Sequence, residues 1–163
     1  MTTCLYRLKT LSIKEPWASL IMFHGKDVEN RSWSTGHRGP LLIHASRSVD
    51  LEPDRTSKHN CYQNDWENLR YSLAALGIVN LPENIARLNI NPGHILGTVN
   101  LTGCIKNSCS IWADRGQYHW LLSNPVPFSA SYPTRGQLGI FDTVLPITIE
   151  TLKQERALAP YKA

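Results

Sequence analysis

The stretch HGKDVENR, residues 24–31, brings a lysine, a glutamate and an arginine close together as Lys26, Glu29 and Arg31. Glu29 and Arg31 stand two apart, so on an extended strand they leave the same face and an ion pair between them is feasible. Lys26 follows an apolar run and can swing across the same mouth. A carboxylate flanked by two cations is expected to be ionised, and then it accepts from an exocyclic amine or imide N–H on a base edge. The cations suit carbonyl oxygens or phosphate, and the arginine fork adds bidentate contact. The structural alternative is a salt bridge that ties a helix end to a strand.

Other side chains extend the list. Trp17, Trp33 and Trp120 are stacking candidates, because an aromatic face accepts any base and each stack contributes about 1–3 kcal/mol. Tryptophan also fills cores, so one of the three is expected at a cleft, Trp17 first because it begins the helix that leads to Lys26. His37, Arg38, His44 and Arg47 form the most basic local stretch, suited to phosphate contact or to plain solvation. Ser46 and His44 stand two apart on one strand, a hydroxyl beside an imidazole. A serine nucleophile would also need an orienting group and an oxyanion hole, which the sequence does not supply. Cys104, Cys109 and His94 fall short of the four ligands of a structural zinc site, so no metal and no cofactor are expected.

The elements that would position these groups follow from periodicity. Residues 4–13 alternate Leu5, Arg7 and Lys9 against Tyr6, Leu8 and Thr10, the pattern of a half-buried strand. Pro16 suits a first helical turn; Trp17, Leu20, Ile21 and Phe23 give an apolar stripe, and Gly25 ends it. Residues 27–33 read as a strand, residues 34–40 as a turn, and residues 41–46 as another strand. Helical spacing returns in residues 65–77, with a short helix near 83–88, and NPGH at 91–94 resets the direction. Three strands rich in β-branched and aromatic residues follow at 95–105, 118–128 and 138–147. Strands flanking one early helix, without regular βαβ alternation, favour an α+β fold built on a compact barrel or curved sheet.

The totals set bounds. The 163 residues fit one domain, read as 1–150 with a polar and helical insert at 47–92 and a tail at 151–163. Hydrophobic content of 42% against 18% charged residues supports a packed core and excludes a disordered chain. A net charge of +4 fits a partner that is a polyanion. Four cysteines without a C-x-x-C pair, and charged residues through the first fourteen positions, lead to the expectation of a reduced cytoplasmic protein, or a nuclear one if eukaryotic, with no membrane segment.

Residues 11–46 resemble the opening of the ASCH domain family, within the PUA-like superfamily. The likeness rests on Ser12, Pro16, Trp17 and Ala18 as S-x-x-x-P-W-A, and on Lys26, Glu29 and Arg31 of the G-x-K-x-x-E-x-R signature. It also rests on RGPLLIHAS at 38–46 and a late W-L-L-x-x-P-x-P at 120–127. His24 stands where the signature has glycine, and Gly25 fills its variable second place. The resemblance implies a PUA-like β-barrel, mostly antiparallel with about five to seven strands and short helices, and a ligand cleft beside the early helix. It implies RNA or other single-stranded nucleic acid, or a modified nucleoside, as the partner. Tyr118 then becomes a cleft wall, beside ligand-binding Trp17, Lys26, Glu29, Arg31, Arg38, His44 and Ser46.

Two functional classes follow from the likeness. One is a module that holds a flipped nucleobase while basic residues hold the backbone. The other is a small amidohydrolase acting on 4-acetylcytidine or a related modified nucleoside, with Lys26 and Glu29 as catalytic groups. That branch of the family pairs its lysine with a threonine three residues later, where this chain has Glu29. A nearby carboxylate is expected to raise the lysine's proton affinity and so oppose a role as base; Glu29 could instead activate water.

Overall fold

A computed structural model describes residues 3–49, 74 and 91–148. Among the described residues, apart from Ala74, six strands and one helix run in the order β1 (Thr3–Glu15), α1 (Trp17–Phe23), β2 (Val28–Arg31), β3 (Gly39–Val49), β4 (His94–Ile105), β5 (Tyr118–Pro133) and β6 (Ile140–Thr148). They form one sheet in the order β2-β5-β4-β3-β1-β6. Only β1 and β3 pair in parallel, because α1 and β2 carry the chain back between them; the other four ladders are antiparallel. This is the α+β, PUA-like and mostly antiparallel arrangement that the resemblance implies. Alternation cannot tell a closed sheet from an open one, and here β2 and β6 are two free ends among the described residues. The helices expected at 65–77 and 83–88 and the tail at 151–163 lie outside the described residues, apart from Ala74, which is helical.

β1 changes partners along its length, and its burial pattern changes with it. Residues 3–11 pair with β6, and there Leu5, Arg7 and Lys9 face solvent while Tyr6 and Leu8 are half-buried. From Thr10 onward the strand pairs with β3, and Leu11 and Ile13 point into the main core. Leu41, Ile43, Val99, Leu101 and Trp120 meet them there, covered by Ala18, Ile21 and Met22 of α1. Leu42, Ile95 and Leu145 form a smaller cluster with Tyr6, Leu8, Phe128 and Tyr132, to which Leu42 is sent by the period-two alternation of β3.

Two turns of helix are too short to persist alone, so α1 depends on this burial. The Pro16 carbonyl accepts from Leu20 N–H at 2.9 Å, and Gly25, at φ 73°, ends the helix by turning the chain back. Lys26 N–H then donates to the Leu20 carbonyl at 3.1 Å. A glycine one place later than the family signature therefore still delivers Lys26 to the underside of the helix.

The helix can lie this close to β4 and β5 because Gly97 has no side chain. A Cβ built there would stand 2.3 Å from the Val126 carbonyl oxygen and 2.6 Å from Met22 Cε. Gly97→Ala is expected to cost about 1–3 kcal/mol of stability through overpacking, measured as a lower urea midpoint. Gly36→Ala, where the added carbon meets nothing within 4 Å, is expected to change the midpoint little.

Candidate functional site

Lys26, Glu29 and Arg31 converge. Lys26 Nζ lies 3.9 Å from Glu29 Oε2, and Arg31 Nε lies 3.0 Å from Glu29 Oε1. Lys26 also donates to the Val28 carbonyl, and Arg31 Nη2 donates to the Ser12 carbonyl at 2.8 Å. The sequence pattern put Lys26 at a cleft mouth; in the structure its side chain is 2% exposed, that of Glu29 9% and that of Arg31 23%. Arg31 is thus the group of the three most open to a ligand. Its Nε is near enough to Glu29 for an ion pair but out of line for a hydrogen bond.

The ammonium of Lys26 sits between two indoles, 5.6 Å from the Trp17 ring centre and 5.8 Å from that of Trp112. An aromatic face attracts a cation, most strongly where water is excluded. Burial still dominates: desolvation pushes the Lys26 proton affinity below the ordinary lysine value of 10.5, and attraction to Glu29, Asp114 and Asp27 offsets it only in part. Glu29 does raise it, as the sequence implies, but burial outweighs that attraction.

Trp112 and Asp114 were not singled out in the sequence, and they arrive on the segment 106–117 between β4 and β5. Asn30 holds that segment from β2, donating to the Trp112 carbonyl at 2.8 Å and accepting from Asp114 N–H at 3.1 Å. Ser110 Oγ donates to Asp27 at 2.5 Å. Buried His119 accepts from Ser108 N–H at Nδ1, so its proton sits on Nε2 and is donated to the Asp114 carbonyl at 2.7 Å. A tryptophan and an aspartate in a polar loop beside the strand that faces β2 would have been the only sequence signal.

The remaining sequence candidates are distributed as follows. Trp17 is half-buried against the core with Lys26 over its ring. Trp120 is fully buried, donates its indole N–H to the Trp33 carbonyl at 3.2 Å, and meets the Trp33 ring edge-on at 4.6 Å. Trp33 keeps 37% of its surface. Tyr118 is half-buried and faces Arg31 across the β2–β5 ladder. Arg38 is exposed and donates to the Thr35 and His37 carbonyls. Ser46 Oγ donates to the Ser48 carbonyl at 3.0 Å and does not meet His44.

His44 is buried and has a different serine. Its Nε2 donates to the Thr134 carbonyl at 3.0 Å, so Nδ1 is the acceptor of the Ser12 hydroxyl at 2.9 Å. The register explains this, since Ser12 lies opposite His44 in the β1–β3 pair. Burial holds the imidazole's proton affinity below its ordinary 6.5, which favours the neutral ring this geometry needs. Gly136 closes over the pair: a Cβ there would stand 2.7 Å from His44 Cε1 and 2.8 Å from Ser12 Oγ.

Comparison with known families matches residues 11–150 to the ASCH domain. Among curated proteins, the chain is similar to "Activating signal cointegrator 1" of Homo sapiens and of Mus musculus, at 29% identity over 133 residues in each. The match covers 77% of this chain and 20% of either relative, so the chain spans about a fifth of their length.

The triad makes a stability test. Glu29→Gln keeps the shape and removes the charge, leaving Lys26 buried without its carboxylate, and is expected to cost about 3–5 kcal/mol at neutral pH. The loss should shrink as pH rises toward 10.5. In that window the folded Lys26 has shed its proton while the unfolded chain still binds one, so stability gains with pH. Urea midpoints of both proteins across this range measure it; an equal loss at every pH would contradict the charge argument.

Proposed function

The chain belongs to the ASCH domain family, which is linked to RNA binding, and on that premise we propose that it is a single-stranded RNA-binding module that holds one nucleobase beside Glu29 and Arg31. The observation that carries this reading is the convergence of Lys26, Glu29 and Arg31 with both Lys26 and Glu29 buried. Burying charge is costly and a packed apolar group would serve stability as well, which favours a recognition role for the set. Lys26 holds Glu29 from behind. Glu29 accepts from a base N–H, and the open part of the Arg31 guanidinium donates to a carbonyl or phosphate oxygen. Trp17, whose ring faces Lys26, and Trp33, 37% exposed, offer aromatic faces for the base, and exposed Arg38 serves the backbone.

One observation favours a second reading, hydrolysis of an acylated nucleoside such as 4-acetylcytidine. Burial makes Lys26 a weaker proton holder than an ordinary lysine, the condition for a base near neutral pH. Water would add to the acetyl carbonyl as neutral Lys26 takes its proton; the amide C–N bond would then break as Lys26 returns that proton to the leaving nitrogen, releasing acetic acid, which ionises to acetate, and cytidine with its exocyclic amine.

A titration of labelled single-stranded RNA separates the readings. Affinity is expected to fall with salt at a slope of about −0.7 per phosphate contacted, and to drop about tenfold or more in Arg31→Ala. A salt-independent affinity, or an unchanged one in that variant, would refute the binding reading. Incubation with 4-acetylcytidine is expected to yield no cytidine; turnover that disappears in Lys26→Met would establish the hydrolase instead.

A further inference from the structure

Two side chains next to the triad, Tyr118 and Lys106, have no part in the single-base reading. Residues directly opposite one another on neighbouring strands share a face. Glu29 lies opposite Trp120, which lies opposite Cys104; Arg31 lies opposite Tyr118. One step further, the β4–β5 ladder ends at Ile105 opposite His119, and the next residue, Lys106, reaches back over Tyr118 with Nζ 4.6 Å from the ring centre. Arg31, Tyr118 and Lys106 thus make a cation, an aromatic and a cation in a row from β2 over β5 to the residue after β4, extending outward from the triad at Arg31.

The row differs from Lys26 and Glu29 in exposure. Lys106 is exposed, and Tyr118 and Arg31 are half-buried. Tyr118 packs one side against the core cluster, and Lys106 covers the ring. An exposed cation–π contact is weaker than a stacked base, so a base arriving at Tyr118 displaces the ammonium. The freed Lys106 then stands at the edge of the stacked base, where a phosphodiester runs. Arg31 serves the group on the other side of Tyr118.

We propose that Tyr118 and Lys106 form a second nucleotide subsite, with Tyr118 stacking the base next to the one held at Glu29 and Arg31 and Lys106 holding the connecting phosphate. This rests on the single-stranded RNA reading above and deepens it: the ligand is an RNA strand of at least two nucleotides, not a free nucleoside.

The test compares a uridine pentanucleotide with uridine monophosphate on the full chain. Lys106→Ala, at an exposed position, is expected to weaken the pentanucleotide about five- to tenfold, to reduce the salt slope by about 0.7, and to leave the mononucleotide unchanged. Tyr118→Leu, with a thermal melt confirming that it folds, is expected to show the same selective loss without the change in slope. Arg31→Ala is expected to weaken both ligands. If Lys106→Ala and Tyr118→Leu leave the pentanucleotide untouched while Arg31→Ala weakens it, the second subsite is wrong and the RNA-binding reading stands. If Tyr118→Leu weakens both ligands equally, Tyr118 belongs to the first base and the subsite is again wrong. If the unaltered chain binds neither ligand, both readings fall together.

Discussion

An ammonium ion buried under a two-turn helix is the constraint around which this end of the molecule is arranged. Lys26 has lost almost all of its water, and so the protein must supply replacements: the Val28 carbonyl, the Glu29 carboxylate and two indole faces. The replacements come from three parts of the chain. Trp17 comes from α1, Glu29 from β2 and Trp112 from the segment 106–117. Arg31 then screens the far side of Glu29 and anchors to the Ser12 carbonyl of β1. A set of this kind stabilises little by the usual arithmetic, because desolvation offsets most of the Coulombic gain. Its value lies in fixing the direction of Glu29 and Arg31, which a pair of solvated side chains would lack.

The support for that arrangement is largely polar and local to β2. Asn30 and Asp27 fasten the segment 106–117, while His119 bridges the two ends of its turn. Successive residues of a strand face opposite ways. A four-residue strand can therefore hold the charged set with Glu29 and Arg31 on one face and clamp the overhead loop with Asn30 on the other. At the same time Gly97 lets α1 settle onto the sheet and Gly25 turns the chain beneath it. Both glycines serve the placement of one lysine.

Much of this was legible in the residues. The helix boundaries followed from Pro16, the apolar stripe and Gly25, and the Glu29–Arg31 pairing followed from strand periodicity. What the pattern missed depends on which strands lie side by side. Ser46 was the serine two residues from His44, but the parallel register of β1 and β3 gives His44 to Ser12 instead. Trp112 reaches Lys26 from more than eighty positions away, through a loop whose composition announces only a turn. The raising effect of Glu29 on Lys26 was legible because neighbouring charges can be counted in a sequence, whereas the depth of burial that outweighs it could not be read.

The most direct measurement is a crystal structure of the chain bound to a short single-stranded RNA. The expected result is a base lying between α1 and β2, its edge within hydrogen-bonding distance of Glu29 and the Arg31 guanidinium, with the Lys26 contacts to Val28 and Glu29 unchanged. RNA held on another face, with Glu29 and Arg31 still paired only to each other and to the protein, would contradict the account.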